Sequence, residues 1–531
     1  MMTSKTILFL PWVVTHSLAL PYGASNTQVD AALYRLGVDV SAVPHLNGAA
    51  AENECQSACG TLCHLFGSEK VFVENSFDYR NVTKSYWSAQ QNEVKPACVF
   101  IPSIDTEVST LVLLSQRTNC PFAAKSGGHA AFAGASSSQG GITMLFQDLN
   151  EIALNKDKSI ASIGPGNKWG QVYKALAPYD LAVVGGRASE IGVGGLLTGG
   201  GISYFSNLHG WALDNVESFE VVSAINGDIL TASETEHPDL YWALRGGGNN
   251  VGLVTKFNLY TIPSPPLTGT TRVFSEDKFS NVVEAFVDVA KDATVDGNAQ
   301  QYVIFASMGG ANVASAELTY ADNVRDPAIF EKYRSIPALS DASTTKSLVE
   351  YCDGLAAQDQ YGLREIFWNR SFKLDEDFAK WAVDHWFSVL PQISNIPGAI
   401  VGLIFQAITE PVLEKMSYAG GNALGLDVSG GPILMMHVLG MWNSGSDDDS
   451  INDFINEFFD DAVSEAKSRG VDNNFVYMNY ASRFQDVVSS YGDANKARLR
   501  DIASKYDPRG VYQTLQPGYF KLTHGPVADP S

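Results

Sequence analysis

Apolar positions in the last third of the chain fall at steps of three and four: Ile451, Phe454, Ile455, Phe458, Phe459, Ala462 and Val463. That period is one face of an α-helix turned into a core, so residues 451–466 are predicted to be helical, with the phenylalanines as core and not as a cofactor pocket. A similar stripe of Val108, Leu111, Val112 and Leu114 follows the polar start at residues 103–107 and stops before Asn119, predicting another helix. Short apolar runs at residues 71–73, 98–101, 121–124 and 161–163 predict buried strands. Runs at residues 218–224, 229–231 and 253–260 predict more, with Gly227-Asp228 as the turn between the first two. Residues 26–66 read as mostly helical, and residues 170–176 as a short helix.

The pattern changes at Pro263, Pro265 and Pro266, which break it and mark a domain boundary. From Thr268 to about Gly470 the strands are longer and alternate, as at residues 301–306, 314–320 and 433–441, between amphipathic helices. This predicts an α+β fold whose second part is an antiparallel sheet with helices on one face. A helix over residues 494–506 is stopped by Asp507-Pro508. A chain of 531 residues exceeds the size at which single cores stop growing, so two domains are expected. Between Gly185 and Gly201 glycine is too dense for a helix to be expected.

Composition narrows the function. Apolar residues make up 45% and charged residues 18%, an ordinary globular balance. The net charge of −22 repels phosphate backbones and anionic lipid surfaces, which argues against nucleic acid as a partner. Lys5, the apolar run at residues 7–14 and the small residues around Ser17 and Ala19 follow the order of a secretory signal, placing the mature start near Leu20. That run is far short of the roughly 20 residues that span a bilayer, so no membrane span is expected. In a secreted chain the six cysteines favour disulfides over metal ligands; Cys55, Cys59 and Cys63 share one helical face, so their partners lie elsewhere. Asn81-Val82-Thr83 and Asn369-Arg370-Ser371 are acceptor sequons, which glycosylation would mark as surface.

The chemistry concentrates at Pro121 to Gly134, PFAAKSGGHAAFAG. Gly127 and Gly128 let the main chain turn sharply and bring its N–H groups close to a phosphate or flat ring, with His129 directed at whatever is bound. GPGNKW (164–169), GGRASEIGVGGLLTGGGISYF (185–205), GWALDNV (210–216) and ALRGGGNNVGLVTKF (243–257) follow in order. A nicotinamide-binding GxGxxG is not formed, because Leu197 and Trp169 stand where the third glycine belongs. There is likewise no phosphate loop, zinc helix or nucleophile elbow.

Taken together these segments resemble the flavin-binding domain of the vanillyl-alcohol-oxidase/PCMH superfamily, in its berberine-bridge-like fungal branch. The resemblance implies a two-lobed PCMH-type FAD-binding domain beside the sheet-and-helix substrate domain. The organisation expected is a signal peptide at 1–19, an N-terminal helical segment and start of the FAD domain at 20–94, and the FAD-binding domain at 95–265. A substrate-binding domain at 266–470 and a C-terminal segment at 471–531 that completes the FAD domain follow. It further implies FAD carried on His129 through the flavin 8α-methyl carbon. Because Ala188 stands where many members have a second attachment cysteine, a single covalent link is expected. Ser126, Gly127, Gly128, Gly192, Val193, Gly194, Gly195, Gly200, Gly201, Val254 and Asn479 complete the expected cofactor set. The FVYMNY segment (475–480) supplies the expected catalytic residues: Tyr480 as base or proton relay, Asn479 positioning flavin or substrate, and Tyr477 as the alternative.

Three functions remain open. The leading one is a secreted FAD oxidase that takes hydride from an alcohol, sugar or secondary-metabolite intermediate and passes the electrons to O₂. The others are an oxidative cyclase or dehydrogenase in secondary metabolism, and a flavin-binding protein without turnover.

Overall fold

The computed structural model describes residues 26–47, 54–74 and 76–523, so the expected signal sequence at 1–19 lies outside the described residues. Three sheets organise the chain. The first joins β1 (Val71–Val73), β2 (Cys98–Phe100), β3 (Phe122–Lys125) and β4 (Ile142–Leu145) in the order β1-β2-β4-β3, with β4 parallel to both β2 and β3. Parallel pairing needs crossovers, and the helix Asp105–Thr118 provides one: Val108, Leu111, Val112 and Leu114 are fully buried, and Asn119 ends it in the left-handed conformation.

The second sheet runs β5 (Ile152–Leu154), β6 (Ile160–Ile163), β10 (Leu253–Pro263), β8 (Val216–Val222), β9 (Ile229–Ser233), and β7 (Leu181–Val183) adds to β10. One glycine-rich stretch departs from expectation, because Val193–Gly199 is an α-helix. Val193 and Leu197 are buried in the core, and that burial outweighs the low helix propensity of its glycines.

The third sheet is antiparallel throughout: β11 (Leu267–Ser275), β12 (Ala299–Met308), β13 (Ala311–Tyr320), β14 (Ser340–Lys346), β15 (Arg364–Lys373), β16 (Ile400–Ile408) and β17 (Ile433–Trp442), in the order β14-β11-β13-β12-β16-β17-β15. Alternation sorts its two faces. Ile366, Trp368, Phe372, Leu403, Phe405, Met436 and Val438 face the helices Phe279–Asp292, Glu376–Val389 and Asp448–Arg469 in one core. Each such large apolar side chain contributes roughly 1.5–3 kcal/mol. The predicted stripe from Ile451 to Ala462 lies in that core.

Cys55 pairs with Cys120 and Cys59 with Cys98, tying the helix Glu54–Phe66 to the first sheet; Cys63 and Cys352 are free thiols. No helix among the described residues is long and apolar enough to cross a membrane. Asn81 is exposed, but Asn369 is fully buried, which corrects the expectation that its sequon marks surface. The reason is hydrogen bonding: the Asn369 side chain donates to the Tyr477 carbonyl (3.0 Å) and accepts from the Tyr477 N–H (2.9 Å), as a strand partner would.

Candidate active site

The glycine turns are built by close approach. A Cβ on Gly127 would lie 2.4 Å from the Gly192 nitrogen, so the SGGH turn and the IGVGG segment meet main chain to main chain. Gly128 turns with φ +69°. Ser126 stitches three segments: its hydroxyl donates to the Pro165 carbonyl (2.6 Å) and accepts from the Gly194 N–H (3.1 Å). Around Gly195, by contrast, a Cβ would meet nothing within 4 Å, so space opens beside the helix start. Gly246 and Gly248 donate to the Thr198 carbonyl and pack the following loop on that helix, while Val254 on β10 is buried opposite Val221.

The Asn369 bonds hold the segment that carries the three expected catalytic residues. Four hydrogen bonds link Asn369 to Tyr477 and Gln485. At about 1 kcal/mol each they fix the strand β15 to the turn Met478–Tyr480. Tyr477 is buried, and its oxygen accepts from the Gly201 N–H (2.8 Å) and the Asn479 amide (3.0 Å). Burial, with a smaller contribution from Tyr480, pushes its hydroxyl well above the ordinary phenol range. Asn479 also donates to the Leu196 carbonyl (3.1 Å), so Tyr477 and Asn479 brace the glycine-rich helix.

Tyr480 is placed differently. Its ring lies between Phe367 (centroids 5.4 Å, 19°) and His437 (4.6 Å, 26°), and its oxygen accepts from the Arg187 guanidinium at 2.9 Å. A guanidinium only donates, so the phenol proton must point elsewhere. Arg187 also donates to Gln406 (3.1 Å) and lies over the Tyr302 ring.

These partners share the face of the third sheet away from its helices. Glu317 stands opposite Tyr302, Ile404 opposite His437, and His437 opposite Asn369, with Phe367 and Glu365 further along β15 on the same face. His437 is buried with Nδ1 unpartnered, and burial, then the Arg187 charge, push it down to about 3, so its imidazole is neutral. Burial raises Glu317, which accepts from Thr271 and Ser315.

An aromatic path joins the two regions. His129 stacks on Trp87 (4.3 Å, 14°), Trp87 touches Phe367 (5.5 Å), and Phe367 stacks on Tyr480. The buried His129 Nε2 makes no close hydrogen bond, its nearest acid being the Asp359 carboxylate with Oδ2 at 3.4 Å. A buried imidazole beside glycine turns, with open space at Gly195, fits a bound flavin on chemical grounds.

Sequence reasoning placed His129, Ser126, Tyr480 and the glycines in the site but did not single out Arg187, Gln406, His437, Trp87 or Phe367. Arg187 lies inside the quoted GGRASE stretch. The strand residues carried little signal, because both parities of β15 to β17 are largely apolar and alternation alone does not assign a site face.

Comparison with known proteins agrees with this geometry. A family model described as an FAD binding domain matches residues 96–233. The chain is 35% identical over 494 residues to the FAD-dependent monooxygenase tpcD of Cochliobolus heterostrophus, covering 88% of this chain and 94% of that one. The fold is similar to that of 6-hydroxy-D-nicotine oxidase from Arthrobacter nicotinovorans (TM-score 0.71, 19% identity, 83% of this chain and 96% of that one). It is also similar to glucooligosaccharide oxidase from Acremonium strictum, a protein with 6-S-cysteinyl, 8α-N1-histidyl FAD (TM-score 0.70, 19% identity, 90% and 100%).

Proposed function

The chain belongs to the PCMH-type, berberine-bridge-like family of FAD-linked oxidoreductases, and from that premise we propose that it is an oxidase with FAD held by one covalent bond at His129. Its substrate is an alcohol, sugar or secondary-metabolite intermediate, and dioxygen is the final electron acceptor. The observation that carries this reading is Tyr480, clamped between Phe367 and His437 with its oxygen on the Arg187 guanidinium.

Bound FAD supplies a two-electron acceptor for hydride. Tyr480 relays the substrate hydroxyl proton, releasing its own phenol proton as it accepts, while the Arg187 guanidinium stays hydrogen-bonded to its oxygen. Gln406 and His437 present polar groups to the substrate, the latter as a neutral imidazole able to accept or donate. Ser126, Gly127, Gly128, Gly192, Val193, Gly194, Gly195, Gly200, Gly201 and Val254 form the cradle, with Asn479 and Tyr477 as its braces. Ala188 leaves no second attachment point, unlike the bicovalent FAD of the Acremonium oxidase. The N-terminal sequence and the two disulfides support a secretory route.

The test is direct. Acid-precipitated protein should stay yellow with the flavin mass on the peptide containing His129, whereas His129→Ala should release all its flavin. Candidate substrates should bleach the flavin without oxygen and give one peroxide per turnover in air. A second reading, monooxygenation, is favoured by the names of curated relatives such as tpcD. Label from isotopic dioxygen in the product, with peroxide below stoichiometry, would select it.

A further inference from the structure

An acid stands beside His129 that the reaction above does not use. Asp359 lies in the loop between the helix Leu348–Ala356 and β15, and its Oδ2 is 3.4 Å from the His129 Nε2. The loop is tied to the segment that carries Trp87: Gly362 donates to the Trp87 carbonyl (2.9 Å) and Ala89 to the Leu363 carbonyl (2.7 Å). Trp87 in turn lies flat on the imidazole, so loop, indole and histidine form one unit. Glu365, two residues into the strand, is 2% exposed with neither carboxylate oxygen partnered. Its main chain exchanges two hydrogen bonds with the Gln90 side chain, which fixes it on the same segment.

We propose that Asp359 is the positioning residue for covalent flavin attachment, holding the Nε2–H of His129 so that the Nδ1 lone pair faces the flavin 8α-methyl carbon. This rests on the covalent reading above. In the attachment one methyl C–H bond breaks and one N–C bond forms. Two electrons pass into the ring system and then to dioxygen, which leaves as hydrogen peroxide. The methyl proton goes to solvent, and the Nε2 proton goes to the Asp359 carboxylate, leaving a neutral, Nδ1-substituted imidazole. Trp87 restricts ring rotation, so the tautomer chosen by Asp359 also sets which nitrogen is presented. The buried Glu365 is raised to about 9, first by burial and then by Asp359, so it stays neutral.

The experiment follows covalent flavin against time in full-length protein produced flavin-free under riboflavin limitation and then supplied with FAD, read as fluorescence on the denatured chain and as the mass of the His129 peptide. Asp359→Asn should attach flavin roughly tenfold to a hundredfold more slowly while binding it non-covalently and melting as the parent does. Asp359→Glu, or added formate with Asp359→Asn, should restore much of the rate, which a merely structural role would not allow. Attachment by Asp359→Asn at the parental rate overturns the proposal and leaves the covalent reading standing. A parent protein whose His129 peptide keeps its unmodified mass overturns both. Should Asp359→Asn fail to fold, Asp359→Glu decides: a rate below a tenth of the parental one, with no carboxylate lost, overturns the assignment.

Discussion

The glycine cradle and the inner face of the third sheet do their work by opposite means. In the cradle the main chain is the working surface: Gly127 and Gly192 touch through their backbones, and Ser126 serves to lock segments together. On the sheet the backbone is regular and side chains carry the chemistry, with Arg187 reaching across from the glycine-rich segment to meet Tyr480 and Gln406. A backbone-built site tolerates almost no substitution, whereas a side-chain-built site can change its substrate one residue at a time. On the function proposed above, cofactor and substrate are thus specified by different kinds of constraint.

The sharpest way to break this contrast is at Tyr480. Tyr480→Phe should slow flavin reduction about 10²- to 10⁴-fold while flavin content and melting temperature hold, as measured by anaerobic stopped-flow. Reduction at the parental rate would remove the base from the sheet side.

Gly127→Ala should do the reverse. The added methyl meets the Gly192 nitrogen at 2.4 Å, so the two segments must part; a loss of about 3 kcal/mol and poor flavin retention are expected, read by denaturant melts and absorbance. Full flavin content in this variant would show that the turns are not held together by that approach.

The smallest effect concerns Glu365. Its folded value, about 9, lies above that of an unfolded carboxyl, so the folded chain keeps a proton that the unfolded chain has released. Stability from this group therefore falls as pH rises from about 4.5 toward 9. Glu365→Gln should stabilise the protein by about 1–2 kcal/mol at pH 8, with the gain closing toward pH 4, in thermal melts across that range.

The same contrast explains what the sequence revealed. The SGGH turn was legible because glycine has few reasons to cluster beside a histidine, and the helix Asp105–Thr118 because its stripe is periodic. The helix Val193–Gly199 was not, because its stability comes from tertiary burial of Val193 and Leu197 against local propensity. His437 and Gln406 were hidden for another reason. In a strand with helices on one face and a second core on the other, both parities are largely apolar, as Leu434 and Met435 on β17 show. Alternation then predicts a strand without saying which side binds. Asn369 misled most directly: its sequon is genuine as a sequence, but a strand partner to Tyr477 occupies it.

That asparagine has a bearing on biogenesis. In an exporting cell, oligosaccharyl transfer acts on the nascent chain, and a sugar placed on Asn369 would force a bulky group into the buried contact that zips β15 to the Tyr477 segment. Completed molecules should be bare there, and any chain carrying a glycan at that position is a dead end that quality control would discard.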